Sequence, residues 1–214
     1  MGEKVVGLGA GGHAKVILEI LRLNDQFEIM GMLDKDPELH DKHLLGVPVL
    51  GSDELLPDLF ANGIKYFFIG LGSTGDNQPR RELFEEAIKL GMEPVSTIHT
   101  TAVISPSATI GEGTAVMANA VINASATVGV NTIINTGAIV EHDCILGDHV
   151  HIATGATLAS TVTVGSMAHI GAGATVRQLI NIGDSAVVGA GSVVVKDVPS
   201  KETVVGVPAK VFTK

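Results

Sequence analysis

The stretch from Ile104 to Pro199 repeats every six residues, and this period constrains the fold more than any other feature of the chain. The first position of each hexad is a branched aliphatic residue throughout, and no insertion breaks the count. These residues are Ile104, Ile110, Val116, Ile122, Val128, Ile134, Val140, Leu146, Ile152, Leu158, Val164, Ile170, Val176, Ile182, Val188 and Val194. The fifth position is small or β-branched, and the second position is often Gly.

A period of six with one large and one small inward residue is typical of a parallel β-helix, in which three hexads form one triangular coil. We expect the large aliphatics to fill the corners of the prism, and Gly and Asn to supply the backbone freedom that its turns need. The hexads amount to about five coils stacked at the strand spacing of roughly 4.8 Å. The alternative is a β-sandwich with chance periodicity, which is disfavoured because every hexad keeps the pattern.

The first hundred residues lie outside the repeat, so we expect an α/β domain at residues 1–100 and a prism domain with a short tail at residues 101–214. Apolar strands are predicted at residues 4–8, 28–33, 65–70 and 94–98, with a shorter strand at 47–49. Helices are predicted after the first strand and at residues 79–90. Three or four parallel strands make half of a Rossmann unit, which is enough for a mononucleotide but not for a dinucleotide.

A glycine-rich loop follows the first strand. Gly7, Gly9 and Gly12 fit the pattern G-x-G-x-x-G, and Asp34 lies 22 residues after Gly12, at the end of the second strand. This layout is that of a nucleotide-binding βαβ unit, whose ligand lies at the carboxyl ends of the strands. Taken alone, the motif fits an ordinary tight βα turn equally well.

Composition excludes several classes of function. The net charge of −9 and the lack of a basic run disfavour nucleic acid binding. Cys144 is the only cysteine, so no intrachain disulfide can form, and its inward hexad position indicates a core residue. The sequence contains no apolar span of about 18 residues and no signal-peptide pattern, so we expect a cytoplasmic protein with no membrane contact.

Two motifs are similar to those of a known family: GGHAKV from Gly11 to Val16, and VGVPAK from Val205 to Lys210. With the short α/β domain and the hexads, they resemble the PglD/NeuD-like sugar O- and N-acetyltransferases of bacterial glycan biosynthesis. The resemblance implies a left-handed β-helix, a homotrimer, and acetyl-CoA held in the groove between neighbouring prisms. It also implies N-acetylation of the 4-amino group of a UDP-4-amino-4,6-dideoxy sugar, with no metal ion.

Two other functions stay open at this point. Relatives with an equally similar glycine loop acetylate sialic acid, so a sugar O-acetyltransferase is the enzyme alternative. A nucleotide-sugar sensor could use the same two domains without catalysis. The histidine and acid pair described below argues against a sensor, which needs no base.

The resemblance assigns nucleotide-sugar contacts to six residues of the first domain. Gly11, Gly12 and His13 would meet the pyrophosphate, Asp34 and Lys35 the nucleoside, and Gly72 the nucleotide. Lys35 departs from the family, in which an acid is common at this position.

Amide formation from a thioester needs a base to take a proton from the attacking amine, and His is the side chain suited to that task. His142 stands between Glu141 and Asp143, at a hexad position expected to project outward from a flat face. The resemblance makes His142 the general base and Asp143 the acid that orients it. It places Glu141 and Asn135 near the acceptor sugar.

The remaining histidines divide into a cofactor contact and bystanders. His151 and His169 are 18 residues apart, so they should stack on successive coils. The resemblance gives His151 a contact to the thioester carbonyl of acetyl-CoA, gives His169 no role, and places Ala172 and Ala190 along the pantetheine. His149 is expected to be solvated. A zinc site of the carbonic anhydrase type is disfavoured, because His142 should lie on a different face from His149.

Overall fold

The computed structural model describes residues 2–24 and 26–212 and divides the chain into two compact units. The first unit contains residues up to 72 together with residues 79–97. The second contains residues 73–78 and the chain from 98 onward. No helix among the described residues is long and apolar enough to cross a membrane.

The first unit is a parallel α/β layer. Its elements, in chain order and including all of α3, are β1 (Glu3–Leu8), α1 (Gly12–Asn24), β2 (Phe27–Leu33), a 3-10 turn (Pro37–Leu39), β3 (His43–Leu44), β4 (Val47–Gly51), a second 3-10 turn (Asp53–Leu55), α2 (Leu56–Ala61), β5 (Tyr66–Ile69), α3 (Gln78–Lys89) and β6 (Glu93–Pro94). The sheet order is β3-β4-β2-β1-β5-β6, and only β3 runs antiparallel to its neighbour. The predicted half-Rossmann fold is therefore confirmed, with the loops after β1, β2 and β5 at one edge.

One predicted strand is wrong. Residues 94–98 were expected to form a single strand, but they separate into β6, which pairs with β5, and β7 (Thr97–Ile98), which pairs in a prism sheet. Ile98 stands six residues before Ile104, so the hexad register already begins there. The apolar run concealed the change of partner because both strands need the same residue types.

The second unit is the predicted left-handed parallel β-helix. Its strands after β7 are β8 (Val103–Ile104), β9 (Thr109–Ile110), β10 (Ala115–Val116), β11 (Val121–Ile122), β12 (Thr127–Val128), β13 (Ile133–Ile134), β14 (Ile139–Val140), β15 (Ile145–Leu146), β16 (His151–Ile152), β17 (Thr157–Leu158), β18 (Thr163–Val164), β19 (His169–Ile170), β20 (Thr175–Val176), β21 (Asn181–Ile182), β22 (Val187–Val188), β23 (Val193–Val194), β24 (Thr203–Val205) and β25 (Lys210–Val211).

Three sheets form the faces of this prism. Their strand orders are β25-β24-β22-β19-β16-β13-β10-β7 (face A), β23-β20-β17-β14-β11-β8 (face B) and β21-β18-β15-β12-β9 (face C). From β8 to β23, each strand pairs in parallel with the strand 18 residues away, as in Ile134↔Ile152. The inward first and fifth positions are almost all buried, Cys144 among them, and they form one continuous core.

The hexad positions differ from our expectation in one respect. The large aliphatics lie in the strands, on the flat faces, whereas the third and fourth positions form the corners. Every fourth position from Gly113 to Gly191 has a positive φ, between 50° and 68°. Asp143 is one of these left-handed residues, with φ +60°. His142 therefore projects from a corner and not from a flat face, which corrects its predicted placement.

The glycines at the second position serve a purpose other than turning the chain. None of them has a positive φ, but a Cβ at Gly147 would lie 2.6 Å from Ser166 Oγ and 2.7 Å from Ser166 N in the next coil. Gly at this position therefore allows successive coils to stack at strand spacing.

Candidate active site

The glycines of the loop between β1 and α1 have two different structural roles. Gly9 has φ +93°, and a Cβ there would lie 2.8 Å from the backbone N of Leu71, so a side chain does not fit. Above Gly11 and Gly12, by contrast, no heavy atom of the described chain lies within 4 Å of a Cβ position. An anionic group can therefore closely approach the free N–H groups at the start of α1.

His13, the second residue of α1, is largely buried and neutral. Burial, with a smaller contribution from the Arg80 guanidinium, lowers the pKa of His13 from its ordinary 6.5 to about 3. Its Nε2 is buried without a hydrogen-bond partner in the described part of the chain. A Cβ at Gly72 would lie 3.2 Å from His13 Cβ, so Gly72 leaves room for the imidazole. A pyrophosphate would thus meet a neutral ring that can donate one hydrogen bond, and no charge.

Arg80 is a functional candidate that sequence reasoning missed. It is 2% exposed, and its Nη1 donates to the backbone O of Ile69 (3.2 Å), the last residue of β5, and of Leu71 (2.8 Å) in the loop that follows. Burial lowers its pKa to about 9, so it stays cationic at neutral pH. The sequence position of Arg80 could have indicated a functional role, because a cation in the first turn of a helix interacts unfavourably with the helix dipole.

Asp34 ties the end of β2 to the glycine loop. Its Oδ2 accepts the N–H of Ala10 at 2.7 Å, and its Oδ1 accepts the N–H of Asp36 at 2.9 Å. Asp34 and Lys35 line a cavity of about 240 Å³ within the first unit. The other lining residues are Gly9, Asp53, Leu71, Pro79, Glu82, Leu83 and Glu86. The cavity lies where a parallel α/β sheet binds its ligand, and it is too small for more than part of a nucleotide sugar.

A histidine and acid pair projects from the prism corner that follows β14. His142 Nδ1 lies 2.7 Å from Asp143 Oδ2, and both side chains are about half exposed. Because a carboxylate only accepts, Nδ1 carries the proton and Nε2 keeps a free lone pair. Asp143 has the left-handed backbone of a fourth hexad position, and its side chain meets the imidazole of the residue before it. This arrangement can act as a general base.

Glu141 completes the same corner. Its Oε2 accepts from Asn123 Nδ2 at 3.0 Å and from the N–H of His142 at 3.2 Å. Asn123 stands one coil away, 18 residues earlier, and was not identified from the sequence. The pair holds a second carboxylate beside His142, which can attract a cationic acceptor such as a sugar ammonium group.

A second cluster lies on face A. His151, in β16, is 5% exposed, and Asn135 Nδ2 lies 3.1 Å from its Nε2. Asn135 Oδ1 accepts the N–H of Thr136 at 2.8 Å, which fixes the amide orientation. His151 Nε2 is therefore the acceptor, and Nδ1 carries the proton. His169 stacks edge-on against His151 with ring centroids 4.9 Å apart, as the 18-residue spacing predicted, and burial lowers the pKa of His169.

Ala172 and Ala190 stand at the turns that follow β19 and β22, which also belong to face A. Both are exposed, and Gly191 N donates to Ala172 O at 2.8 Å across successive coils. The three predicted acetyl-CoA contacts, His151, Ala172 and Ala190, are therefore associated with one face. His142 and Asp143 follow a strand of face B, and Asn135 accompanies His151 and not His142.

His149 does not lie in solvent as expected. It is only 9% exposed, and its Nδ1 lies 3.0 Å from Nδ2 of the buried Asn131. Asn131 occupies the same fourth position one coil earlier, so the two side chains meet across successive coils. Within the described ranges, no three His, Cys, Asp or Glu side chains are grouped closely enough to hold a metal ion.

Comparisons with known proteins agree with this architecture. The PglD N-terminal domain family matches residues 4–87. UDP-N-acetylbacillosamine N-acetyltransferase of Bacillus subtilis (strain 168) is 38% identical over 54% of this chain, and the match spans only about half (52%) of that protein.

Two solved structures match almost the whole chain. A histidine-to-asparagine variant of perosamine N-acetyltransferase from Caulobacter crescentus, in complex with CoA and GDP-perosamine, has a TM-score of 0.93 and 43% identity, with 100% of this chain and 98% of that chain covered. The acetyltransferase domain of PglB from Neisseria gonorrhoeae, in complex with acetyl coenzyme A, has a TM-score of 0.89 and 36% identity over 99% of this chain and 100% of that domain. These similarities agree with the α/β unit and the β-helix described above, and this chain belongs to the PglD-like family of amino-sugar N-acetyltransferases.

Proposed function

We propose that this protein transfers the acetyl group of acetyl-CoA to the 4-amino group of a nucleotide-linked 4-amino-4,6-dideoxy sugar. The observation that carries the proposal is the His142–Asp143 pair, in which Nδ1 faces the carboxylate at 2.7 Å and Nε2 keeps its lone pair. The similarity to enzymes that act on GDP-perosamine and on a UDP-linked amino sugar supports the acceptor class. These relatives are N-acetyltransferases, which favours an amine acceptor over the O-acetylation of sialic acid.

The chemistry assigns a step to each cluster. The amine attacks the thioester carbonyl carbon, while His142 Nε2 takes a proton from the nitrogen. The new C–N bond and the oxyanion form together, and His151 is the candidate residue to stabilise that oxygen. Collapse of the tetrahedral intermediate breaks the C–S bond, and the proton on His142 passes to the departing CoA sulfur. The products are the N-acetylated sugar nucleotide and free CoA.

The remaining residues bind and orient the substrates. The N–H groups at the start of α1, next to Gly11 and Gly12, suit the pyrophosphate. The cavity lined by Asp34 and Lys35 suits the nucleoside. Glu141 attracts the acceptor ammonium group before it loses its proton. The exposed turns at Ala172 and Ala190 offer small side chains and backbone groups along which the pantetheine arm can lie.

The distribution of residues over two faces favours a homotrimer. His142 and Asp143 follow face B, whereas His151, Ala172 and Ala190 accompany face A, so a groove between two prisms would place one set opposite the other. A cyclic trimer repeats that groove three times. Light scattering should give about 66 kDa, three times 22.1 kDa, and a stable monomer would contradict this assembly. Because acetyl-CoA is an intracellular metabolite, we place the reaction in the cytoplasm.

The direct test is His142→Ala, assayed by thiol release from acetyl-CoA with GDP- and UDP-linked 4-amino sugars. Loss of general base catalysis should lower kcat about 10²–10⁴-fold, and acetyl-CoA binding should survive. Asp143→Asn should cost less, because the imidazole remains in place. His99→Ala, a prism histidine outside both clusters, is the matched control, and near-normal kcat in His142→Ala would refute the mechanism.

A further inference from the structure

The relatives differ in the nucleotide of the sugar that their names give, which is GDP for one and UDP for another. We propose that the cavity between the ends of β2, β4 and β5 is a guanine pocket, with Asp53 accepting from the base and Lys35 donating to it. This inference rests on the proposed function for the ligand class, a nucleoside diphosphate sugar. It concerns which base the first unit selects.

The lining of the cavity is rich in hydrogen-bond acceptors. Asp34, Asp53, Glu82 and Glu86 contribute carboxylates, and Lys35 is the one cation among the lining residues. Apolar walls are provided by Leu71, Pro79 and Leu83, which suit the faces of a flat ring. This lining suits a flat ligand that presents N–H donors.

Asp53 is the acceptor that still needs a donor. The two oxygens of Asp34 already accept backbone N–H groups from the glycine loop and from Asp36. Asp53 Oδ1, by contrast, is buried and has no hydrogen-bond partner among the described residues. Burial, followed by the charges of Asp34 and Glu86, raises the pKa of Asp53. A buried acceptor among like charges is costly, and an N–H donor from a ligand relieves that cost.

Guanine presents the matching edge. Its N1–H and 2-amino group are two adjacent donors, which a carboxylate can accept together, and O6 beside them is an acceptor that a lysine ammonium can reach. Uracil has a single donor, N3–H, between two carbonyl oxygens. If Asp53 accepted from uracil N3–H, its second oxygen would have no further N–H of the base to accept from. The same pocket therefore favours guanine and disfavours uracil.

The position of Lys35 supports the same conclusion. Lys35 lines the same cavity as Asp53, and its charge opposes the rise in the pKa of Asp53. A donor next to an acceptor is the complement of the O6 and N1–H edge of guanine.

Calorimetric titration of the full-length protein with GDP, IDP and UDP tests the proposal. A good bidentate pair is worth roughly 1–3 kcal/mol of discrimination, or about 5- to 150-fold in affinity, so GDP should bind at least fivefold more tightly than UDP. IDP, which lacks the 2-amino group, should fall between them. Equal binding of GDP and UDP, tighter binding of UDP, equal binding of GDP and IDP, or binding of neither GDP nor UDP would overturn the proposal.

Asp53→Asn tests the residue, and Glu54→Gln is its matched control, because Glu54 is adjacent, exposed and outside the cavity. Asp53→Asn should lose about 5- to 150-fold in GDP affinity while UDP binding changes little, and Glu54→Gln should bind as the wild type does. An unchanged ratio of GDP to UDP affinity in Asp53→Asn would refute the assignment. The comparison of ligands on the wild-type protein does not depend on the folding of any variant.

Turnover separates this inference from the proposed function. Selective GDP binding without thiol release from acetyl-CoA and a GDP-linked 4-amino sugar would leave the pocket standing and remove the proposed function. Acetylation of only the UDP-linked sugar would support the proposed function and overturn the guanine pocket.

Discussion

His13 should make the first unit sensitive to acid, and the size of the effect follows from its pKa. In the unfolded chain the imidazole takes up a proton below its ordinary pKa of 6.5, but in the folded protein it stays neutral until about pH 3. Between these values the unfolded state binds one more proton than the folded state. The free energy of unfolding must therefore fall as the pH falls, by about 1.4 kcal/mol per pH unit. Above pH 6.5 this group has no effect.

The expected loss can be stated for a convenient pH. At pH 5 the His13 contribution is about 2 kcal/mol, a sizeable share of the 5–15 kcal/mol by which domains are ordinarily stable. His13→Gln keeps a polar side chain of similar reach but cannot take up the proton. The difference in unfolding free energy between wild type and variant should therefore shift by about 2 kcal/mol between pH 7.5 and pH 5, whatever its value at pH 7.5.

Tyrosine fluorescence allows the first unit to be observed separately. Tyr66 in β5 is the only tyrosine and the chain has no tryptophan, so urea unfolding followed at this residue reports on the α/β layer. His43→Gln, which removes an exposed imidazole from the same unit, is the control and should keep the wild-type slope. If His13→Gln loses stability with pH as steeply as the wild type does, then His13 is protonated in the folded state and the reasoning fails.

Three further predictions concern backbone positions. Gly147→Ala should destabilise the prism by about 1–3 kcal/mol, because its Cβ would overlap Ser166. The control Gly155→Asn, with open space at φ +65°, should melt close to wild type. Equal melting temperatures for Gly147→Ala and wild type would contradict the stacking argument. Leu179→Asn should raise the free energy of unfolding by about 0.5–1 kcal/mol, since Leu179 is 69% exposed at φ +61°, and a loss measured by urea denaturation would count against it. Gly12→Val should raise KM for the sugar nucleotide and leave KM for acetyl-CoA unchanged, whereas equal increases would show that the loop does not bind the sugar nucleotide.

The prism could be predicted from the sequence because its rules are local. Each residue faces in or out according to its place in six, and each coil meets its neighbour at a separation of 18 residues. The stacking of His151 on His169 followed from that count, and the pairs Asn123–Glu141 and Asn131–His149 obey it too. The half-Rossmann fold was equally readable, since its strands, helix and glycine loop each carry a short-range pattern.

The tertiary structure decided what local patterns do not contain. The burial of Arg80 against the end of β5, and the lowered pKa of His13 beside it, depend on how α1 and α3 pack on the sheet. The orphan oxygen of Asp53 likewise depends on which loops enclose the cavity. In a repeat, residues in contact are separated by a fixed number of positions in the sequence. In an α/β layer that separation varies, because the connections between strands differ in length. The sequence of this protein therefore determined its architecture and its histidine and acid pair, and only the packing of the first unit determined the electrostatics of the proposed nucleotide site.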